Sequence, residues 1–490
     1  MQRQEQKDWW WVLGGLVLIV LLIVSLVLNF NFNNDSKYLE NAEGIKIDNG
    51  DEKIVWEEYP SFTVELKENY VITAPGTYYL SGKIDDGGIS IRVPENTAVR
   101  LVFDNVTIKN SVGPAISCEE ADDLVIVLNG DNYFEDGKEY EASYDDDVKG
   151  VIYSKSDLTF SGDGKLSIKA NYQDGIVSKD DLKFTGGEYY ISAADDGIRG
   201  KDSVYITGGT FAIDAKGDGI KSTKENDNTK GFVLIQGGKI TISVGDDGIH
   251  AYNRLIIDAG DINITKSYEG LEAQKIYVNG GDIKIFSNDD GINAGGGDTT
   301  TTNNARPGAF DVDESCVVAI NGGTVYVNAA GDGIDSNGYV NFNGGEVVVD
   351  GPTNNGNGAL DAGAKITMNG GKVIAVGASG MAEGLGTDSL IHNISVFFAS
   401  TYTKGTKIEI KNSDGDVVLT HTAAKSFNHF AAGTSDFKLG ETYILYVDDK
   451  EVEEFTITDT TMVLGKNYDM GGPGGAGAPG NMGPGGGPRR

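Results

Sequence analysis

Cysteine is nearly missing from this chain. Cys118 and Cys316 stand far apart in the sequence, and such a pair supplies neither a disulfide framework nor a thiolate metal site. Histidine is also scarce. His250, His392, His421 and His429 are the complete set, too scattered for a catalytic triad or for zinc-ligand spacing. Basic charge falls short of acid, with 40 lysines and arginines against 73 aspartates and glutamates and a formal net charge of −33. No basic stripe is present, which excludes nucleic acid as a partner. The acid surplus suits a secreted protein that gathers cations.

Glycine, by contrast, is abundant at 69 residues, and much of it falls in two recurring phrases. The first is Asp-Gly-Ile: Asp174-Gly175-Ile176, Asp196-Gly197-Ile198, Asp218-Gly219-Ile220, Asp247-Gly248-Ile249, Glu269-Gly270-Leu271, Asp290-Gly291-Ile292 and Asp332-Gly333-Ile334. It degrades to Ala359-Leu360-Asp361 and Glu383-Gly384-Leu385. The second is a glycine pair, from Gly186-Gly187 and Gly208-Gly209 to Gly344-Gly345 and Gly370-Gly371. The period is about 22 residues, which marks a solenoid. Apolar residues alternate on both sides of each pair, as Leu182 and Phe184 before and Tyr189 and Ile191 after. A period of two means strands with one buried face, and the 3.6-residue period that a helical repeat needs is missing. Three short strands per turn, cornered by glycine, predict an all-β fold: a right-handed parallel β-helix of about 22 residues per rung. Because the glycine pairs recur in every rung they are corners, not a phosphate-binding loop. Regular Thr-X-Thr columns, which an ice-binding solenoid would carry, are absent.

Stacking turns about 4.8 Å apart makes the repeated acid a column of carboxylates. At an effective dielectric near 20, two such charges repel by roughly 3 kcal/mol. A whole column would exceed a domain's net stability of about 5–15 kcal/mol unless something relieved it. Bound cations, basic neighbours, protonation and solvent screening are the available means. Calcium suits the chemistry, since it takes about 6–8 oxygen ligands in flexible geometry. The residue three after each acid runs Val177, Arg199, Lys221, His250, Glu272, Asn293 and Asp335. Early copies thus carry their own base, and later ones add a second oxygen donor. The candidate metal ligands are Asp174, Asp196, Asp218, Asp247, Glu269, Glu272, Asp290, Asn293, Asp332, Asp335 and Asp361, densest from Glu269 onward. The competing reading is that each Asp-Gly only turns a corner, with the aspartate bonding local backbone.

In chain order, residues 1–8 read as a cytoplasmic tail. Residues 9–28 are an unbroken apolar segment led by Trp9, Trp10 and Trp11, long enough to cross a bilayer as an uncleaved signal anchor. Residues 29–60 form a polar tether, 61–393 the β-helix, and 394–465 a small antiparallel β module that covers the last rung. Residues 466–490 form a Gly/Pro-rich disordered tail. These assignments place a monomeric β-helix outside the cell membrane. A polar loop at 295–314 interrupts the period and could overhang the acidic patch.

The run from Thr73 to Gly82, then Tyr153-Ser154-Lys155-Ser156-Asp157-Leu158, the stretch Asp174 to Leu182, and Gly217-Asp218-Gly219-Ile220-Lys221-Ser222 together resemble the carbohydrate-binding β-helix proteins of anaerobic Firmicutes surfaces. The resemblance covers about residues 62–460. It implies a pectate-lyase-like β-helix, several bound Ca2+ ions, and a polysaccharide partner, either acidic galacturonate-type plant polysaccharide or cellulose, bound without catalysis. Tyr190 with Tyr326, and Tyr205 with Tyr277, share columns and could stack on sugar faces. Two other functions fit the same scaffold. A polysaccharide lyase would use Arg199 or Lys221 beside the acids to take the proton next to a calcium-neutralised uronate. A purely structural adhesion protein would use calcium only for rigidity.

Overall fold

The computed structural model describes residues 53–295 and 312–465. The apolar segment 9–28, the polar loop residues 296–311 and the tail 466–490 lie outside them. Among the described residues, no helix is long and apolar enough to cross a membrane.

One turn consists of the strands Asp174–Ser178, Asp181–Phe184 and Glu188–Ala193. The next consists of Ile198–Gly200, Ser203–Ile206 and Thr210–Ala215. Each strand pairs in parallel with its counterpart one turn on: Ile176 with Ile198, Leu182 with Val204, Tyr189 with Phe211. Repetition of this rule gives three columns of stacked strands and a β-solenoid whose register follows the sequence repeat. The isoleucines after Asp-Gly and the apolar residues flanking the glycine pairs all enter one continuous core running from Leu66 to Ala431. Inside it the Phe160 and Phe184 rings stack at 5.0 Å, and those of Tyr189 and Phe211 at 4.8 Å.

Two corners require glycine for different reasons. The second residue of each pair has positive φ, +89° at Gly187 and +106° at Gly209, a region that side-chain-bearing residues enter at a cost. The glycine of Asp-Gly has ordinary dihedrals but no room: a Cβ on Gly219 would sit 2.5 Å from the Gly248 carbonyl oxygen of the next turn.

The residue before the glycine pair builds a ladder of its own. Asn279 Nδ2 donates to Asp258 at 2.8 Å, Asn321 to Asn279 at 2.7 Å, Asn343 to Asn321 at 2.8 Å and Asn369 to Asn343 at 2.9 Å. Each side-chain amide therefore satisfies the one on the adjacent rung, and the corner stays polar without leaving bonds unmade.

At the amino-terminal end, Ser61–Leu66 stacks in parallel on Gly76–Ile84. The Arg100 guanidinium lies 4.6 Å over the Trp56 ring, so the chain docks on the body from that residue. At the other end direction reverses. Lys372–Gly377 pairs antiparallel with Phe427–Thr434, which pairs antiparallel with Asn393–Tyr402. That reversal ends the parallel stack and covers an edge that would otherwise present unpaired backbone groups. A separate antiparallel sheet holds Val417–Thr422, Lys407–Asn412, Thr442–Val447 and Lys450–Thr456 in that order, over a second core that includes Ile408, Phe427, Phe430 and Tyr443.

Candidate functional site

The repeated acids occupy one corner because parallel pairing in exact register puts them there. The positions three residues on are paired directly: Val177 with Arg199, Arg199 with Lys221, Lys221 with His250, His250 with Glu272, Glu272 with Asn293 and Asn293 with Asp335.

One oxygen of most column aspartates is already committed. Asp174 Oδ1 accepts the Asp196 N–H at 3.1 Å, Asp196 Oδ1 that of Asp218 at 2.9 Å, and Asp218 Oδ1 that of Asp247 at 2.9 Å. Asp247 Oδ1 accepts from Glu269 at 3.3 Å, and Asp290 Oδ1 from Asp332 at 2.6 Å. The carboxylate thus bonds backbone, as the corner reading expects, but the backbone of the next rung. The second oxygen separates the column into two halves.

In the early half that oxygen meets a base. Arg199 Nη2 lies 2.5 Å from Asp174 Oδ2 and its Nη1 3.9 Å from Asp196 Oδ2, while Lys221 Nζ lies 2.5 Å from Asp218 Oδ2. Burial opposes the Lys221 charge, yet Asp218 and Asp196 hold its ammonium above the usual lysine range. His250 Nδ1 is 2.5 Å from Glu272 Oε2 and 3.3 Å from Asp247 Oδ2. Burial again works against the charges, but the pairing prevails: His250 rises to about 10 and Glu272 falls below the ordinary glutamate range.

In the late half, among the described residues, no lysine, arginine or histidine pairs with Asp290, Asp332, Asp335, Asp361 or Glu383. Asp290, Asp332 and Asp335 each bring one oxygen within 4.8 Å of the other two, and Asp247, Glu269 and Glu272 do the same. Asn293 Nδ2 donates to Glu269 Oε2 at 3.0 Å. Burial first, then the neighbouring acids, push Glu269 up to about 9, Asp335 to about 8 and Asp290 to about 7. Burial also raises Asp332 to about 6 and Asp361 above its ordinary range. Glu383 rises to about 7 through burial and the Asp361 charge. Without a cation Glu269 and Asp335 would hold protons at neutral pH. The donor set of these late groups is all carboxylate oxygen, the chemistry of a hard cation. Oxygens sharing one calcium at about 2.4 Å stand no more than about 4.8 Å apart, so the spacing fits.

The residues expected from sequence therefore fall into distinct environments. Asp174 and Asp218 have their outer oxygens opposite a base, and Asp196 is 3.9 Å from Arg199. Asp247, Glu269 and Glu272 form one group, and Asp290, Asp332 and Asp335 another. The four tyrosines form no shared platform. Tyr190 is 44% exposed, with Lys165 Nζ 4.6 Å over its ring. Tyr326 lies five rungs further on, its hydroxyl donating to Asp350 at 2.9 Å. Tyr205 donates to Gln236 at 2.5 Å, and Tyr277 is half-buried three rungs away. Glu383 is the residue missed. Its Glu-Gly-Leu phrase is visible in the sequence, but the spacing is too irregular to align it with the acids that raise it.

These features define a class, a β-solenoid with an acidic corner column whose later turns have no basic partner among the described residues. The sequence model of the carbohydrate-binding domain-containing protein family matches residues 67–311. A carbohydrate-binding domain-containing protein of Acetivibrio thermocellus is 35% identical over 249 residues, covering 50% of this chain and 81% of that protein. The chain belongs to this family. A solved structure titled as a polysaccharide lyase-like protein from C. thermocellum, gadolinium derivative, aligns at 30% identity with a TM-score of 0.39, over 46% of this chain and 94% of that one.

Proposed function

We propose that this protein is a calcium-dependent, non-catalytic polysaccharide-binding protein, built on a right-handed, pectate-lyase-like β-helix and held at the outer face of the cell membrane through residues 9–28. The observation that carries the reading is the late acidic cluster: Asp290, Asp332 and Asp335 converge without a basic partner among the described residues. Asp361 and Glu383 add to the same field. These residues would hold calcium, and the ion would supply positive charge to an otherwise repelling wall, which then accepts the carboxylates of a galacturonate-type polysaccharide. Family membership supports a carbohydrate partner. Tyr190, on an outward strand face, is the exposed one of the four candidate tyrosines and so the one of them open to a sugar ring.

The lyase alternative needs an unprotonated base near the sugar. Lys221 is held in its charged form by Asp218, and Arg199 is bound to Asp174 at 2.5 Å, which favours binding without turnover. The test is retention on immobilised polygalacturonate and on cellulose, with calcium and with EDTA, alongside near-UV absorbance for unsaturated product. Calcium-dependent retention without absorbance growth is expected. Sustained absorbance growth that Arg199→Ala abolishes would overturn the non-catalytic reading, and no retention on any glycan would favour a purely structural role.

A further inference from the structure

The same corner carries a second, oppositely charged feature two residues beyond the Arg199 position. Backbone bonds stack Lys179 on the rung of Ser154 and Lys201 on the rung of Ser178, the Lys179 N–H reaching Ser154 O at 2.8 Å and the Lys201 N–H reaching Ser178 O at 3.0 Å. Side chains of Lys149, Lys179, Arg199 and Lys201 thereby converge on a cleft of about 250 Å³, with Asp147 and Thr223 on its rim. All four cations are half-buried. Asp147 pairs with Lys179 at 3.2 Å and Asp174 with Arg199 at 2.5 Å. Lys149 and Lys201 have no ion-pair partner among the described residues. In a chain of net charge −33, two ammonium groups without an ion-pair partner beside a guanidinium run against the overall field, and the acid lining the cleft, Asp147, is held below its ordinary range first by Lys179 and then by Lys149 and Lys201, which leaves the four cations in excess over it. The cleft is smaller than the roughly 300–1,000 Å³ of a pocket for a drug-sized ligand, which suits one unit of a longer chain. The Arg199 position and the Asp335 position lie in one register column, five rungs apart, or roughly 24 Å along the axis. A polymer lying along that corner would meet both.

We propose that Lys149, Lys179, Arg199 and Lys201 form an anion subsite that binds one acidic sugar unit, carboxylated or sulfated, directly and without calcium. The proposal rests on the glycan-binding reading above and adds a second contact to it. Charge-assisted hydrogen bonds contribute enough for each lysine to be worth about tenfold in affinity. The experiment is titration calorimetry on the full chain in EDTA at low salt, with trigalacturonate, a sulfated chondroitin tetrasaccharide and neutral cellotriose as probes. One or both acidic probes should bind and cellotriose should not. Lys149→Gln and Lys201→Gln should each weaken binding about tenfold, and Lys239→Gln, on another column and paired with Asp261, should leave it unchanged. Equal melting temperatures across the variants exclude misfolding. No binding of an acidic probe in EDTA, or binding that the two glutamine variants leave intact, overturns the subsite. If polygalacturonate retention in calcium then persists, the proposed function stands without it; loss of retention in both conditions refutes both.

Discussion

Asp290 has two separable roles, and its substitution to asparagine or alanine distinguishes them. Its Oδ1 accepts the Asp332 N–H at 2.6 Å, and its carboxylate lies within 4.8 Å of Asp332 and Asp335 oxygens. Asparagine keeps an acceptor oxygen and removes the charge; alanine removes both. A buried N–H left without a partner costs about 1–3 kcal/mol, and two carboxylates 4.8 Å apart repel by about 3–4 kcal/mol at an effective dielectric near 20. Asp290 itself sits at about 7, above the roughly 4 of an unfolded carboxylate, so its cost to stability builds from about pH 4 and is complete above neutrality. In EDTA at pH 8.5, Asp290→Asn should therefore be more stable than the native chain, by up to about 3 kcal/mol, and Asp290→Ala should lose most of that gain. At pH 3.5, where Asp290 is protonated in the folded and the unfolded chain alike, Asp290→Asn should match the native chain and Asp290→Ala should fall below it by about 1–3 kcal/mol. Calcium should stabilise the native chain far more than either variant. Urea unfolding followed by circular dichroism at both pH values reads all of these. The reasoning is refuted if Asp290→Asn is less stable than the native chain in EDTA at pH 8.5, or if its response to calcium is undiminished.

The late cluster also sets a pH dependence. Glu269, Asp335, Asp290 and Glu383, at about 9, 8, 7 and 7 in the folded chain, stand well above the roughly 4 of unfolded carboxylates. The folded state holds the extra protons, so their contribution is full below about pH 4 and is lost as pH rises through 7 to 9; melting temperature in EDTA should fall across that window and calcium should flatten the fall. His250→Ala leaves Asp247 and Glu272 buried without their shared cation, at about 3–5 kcal/mol near pH 7. Because His250 is raised to about 10, its advantage is complete below about 6.5 and should vanish above 10, which a stability difference measured from pH 6 to 10.5 follows. Gly219→Ala places a Cβ 2.5 Å from the Gly248 oxygen and should lower stability by at least about 1–3 kcal/mol, read as a shift in the urea midpoint.

Much of this architecture is written plainly in the residues, because a solenoid turns sequence period directly into contact. The Asp-Gly-Ile and Gly-Gly phrases locate every strand from Asp174–Ser178 to Tyr339–Phe342, and the series Val177, Arg199, Lys221, His250, Glu272, Asn293, Asp335 is the observed register. Composition along that series also separates the base-paired half of the column from the uncompensated half. The individual bonds are less legible. That Asp174 Oδ1 would hold the Asp196 N–H depends on rotamer and corner geometry, which a repeat count does not contain. The Asn279–Asn321–Asn343–Asn369 ladder is visible as Asn-Gly-Gly, but the glycines alone explain the turn and draw attention away from the amide. The basic cleft needs Lys149, from an irregular acidic stretch, to meet Lys179 and Lys201 from regular rungs, and no periodicity joins those two kinds of segment.

Titrating calcium into EDTA-treated, dialysed protein at pH 7.5, in two buffers of different protonation enthalpy, tests the central claim most directly. The account predicts saturable uptake with release of protons, because Asp335 and Asp290 stand at about 8 and about 7 before the ion arrives, and both signals should be lost at this site in Asp332→Asn/Asp335→Asn. Heats no larger than dilution, with a melting temperature that EDTA leaves unmoved, would contradict it.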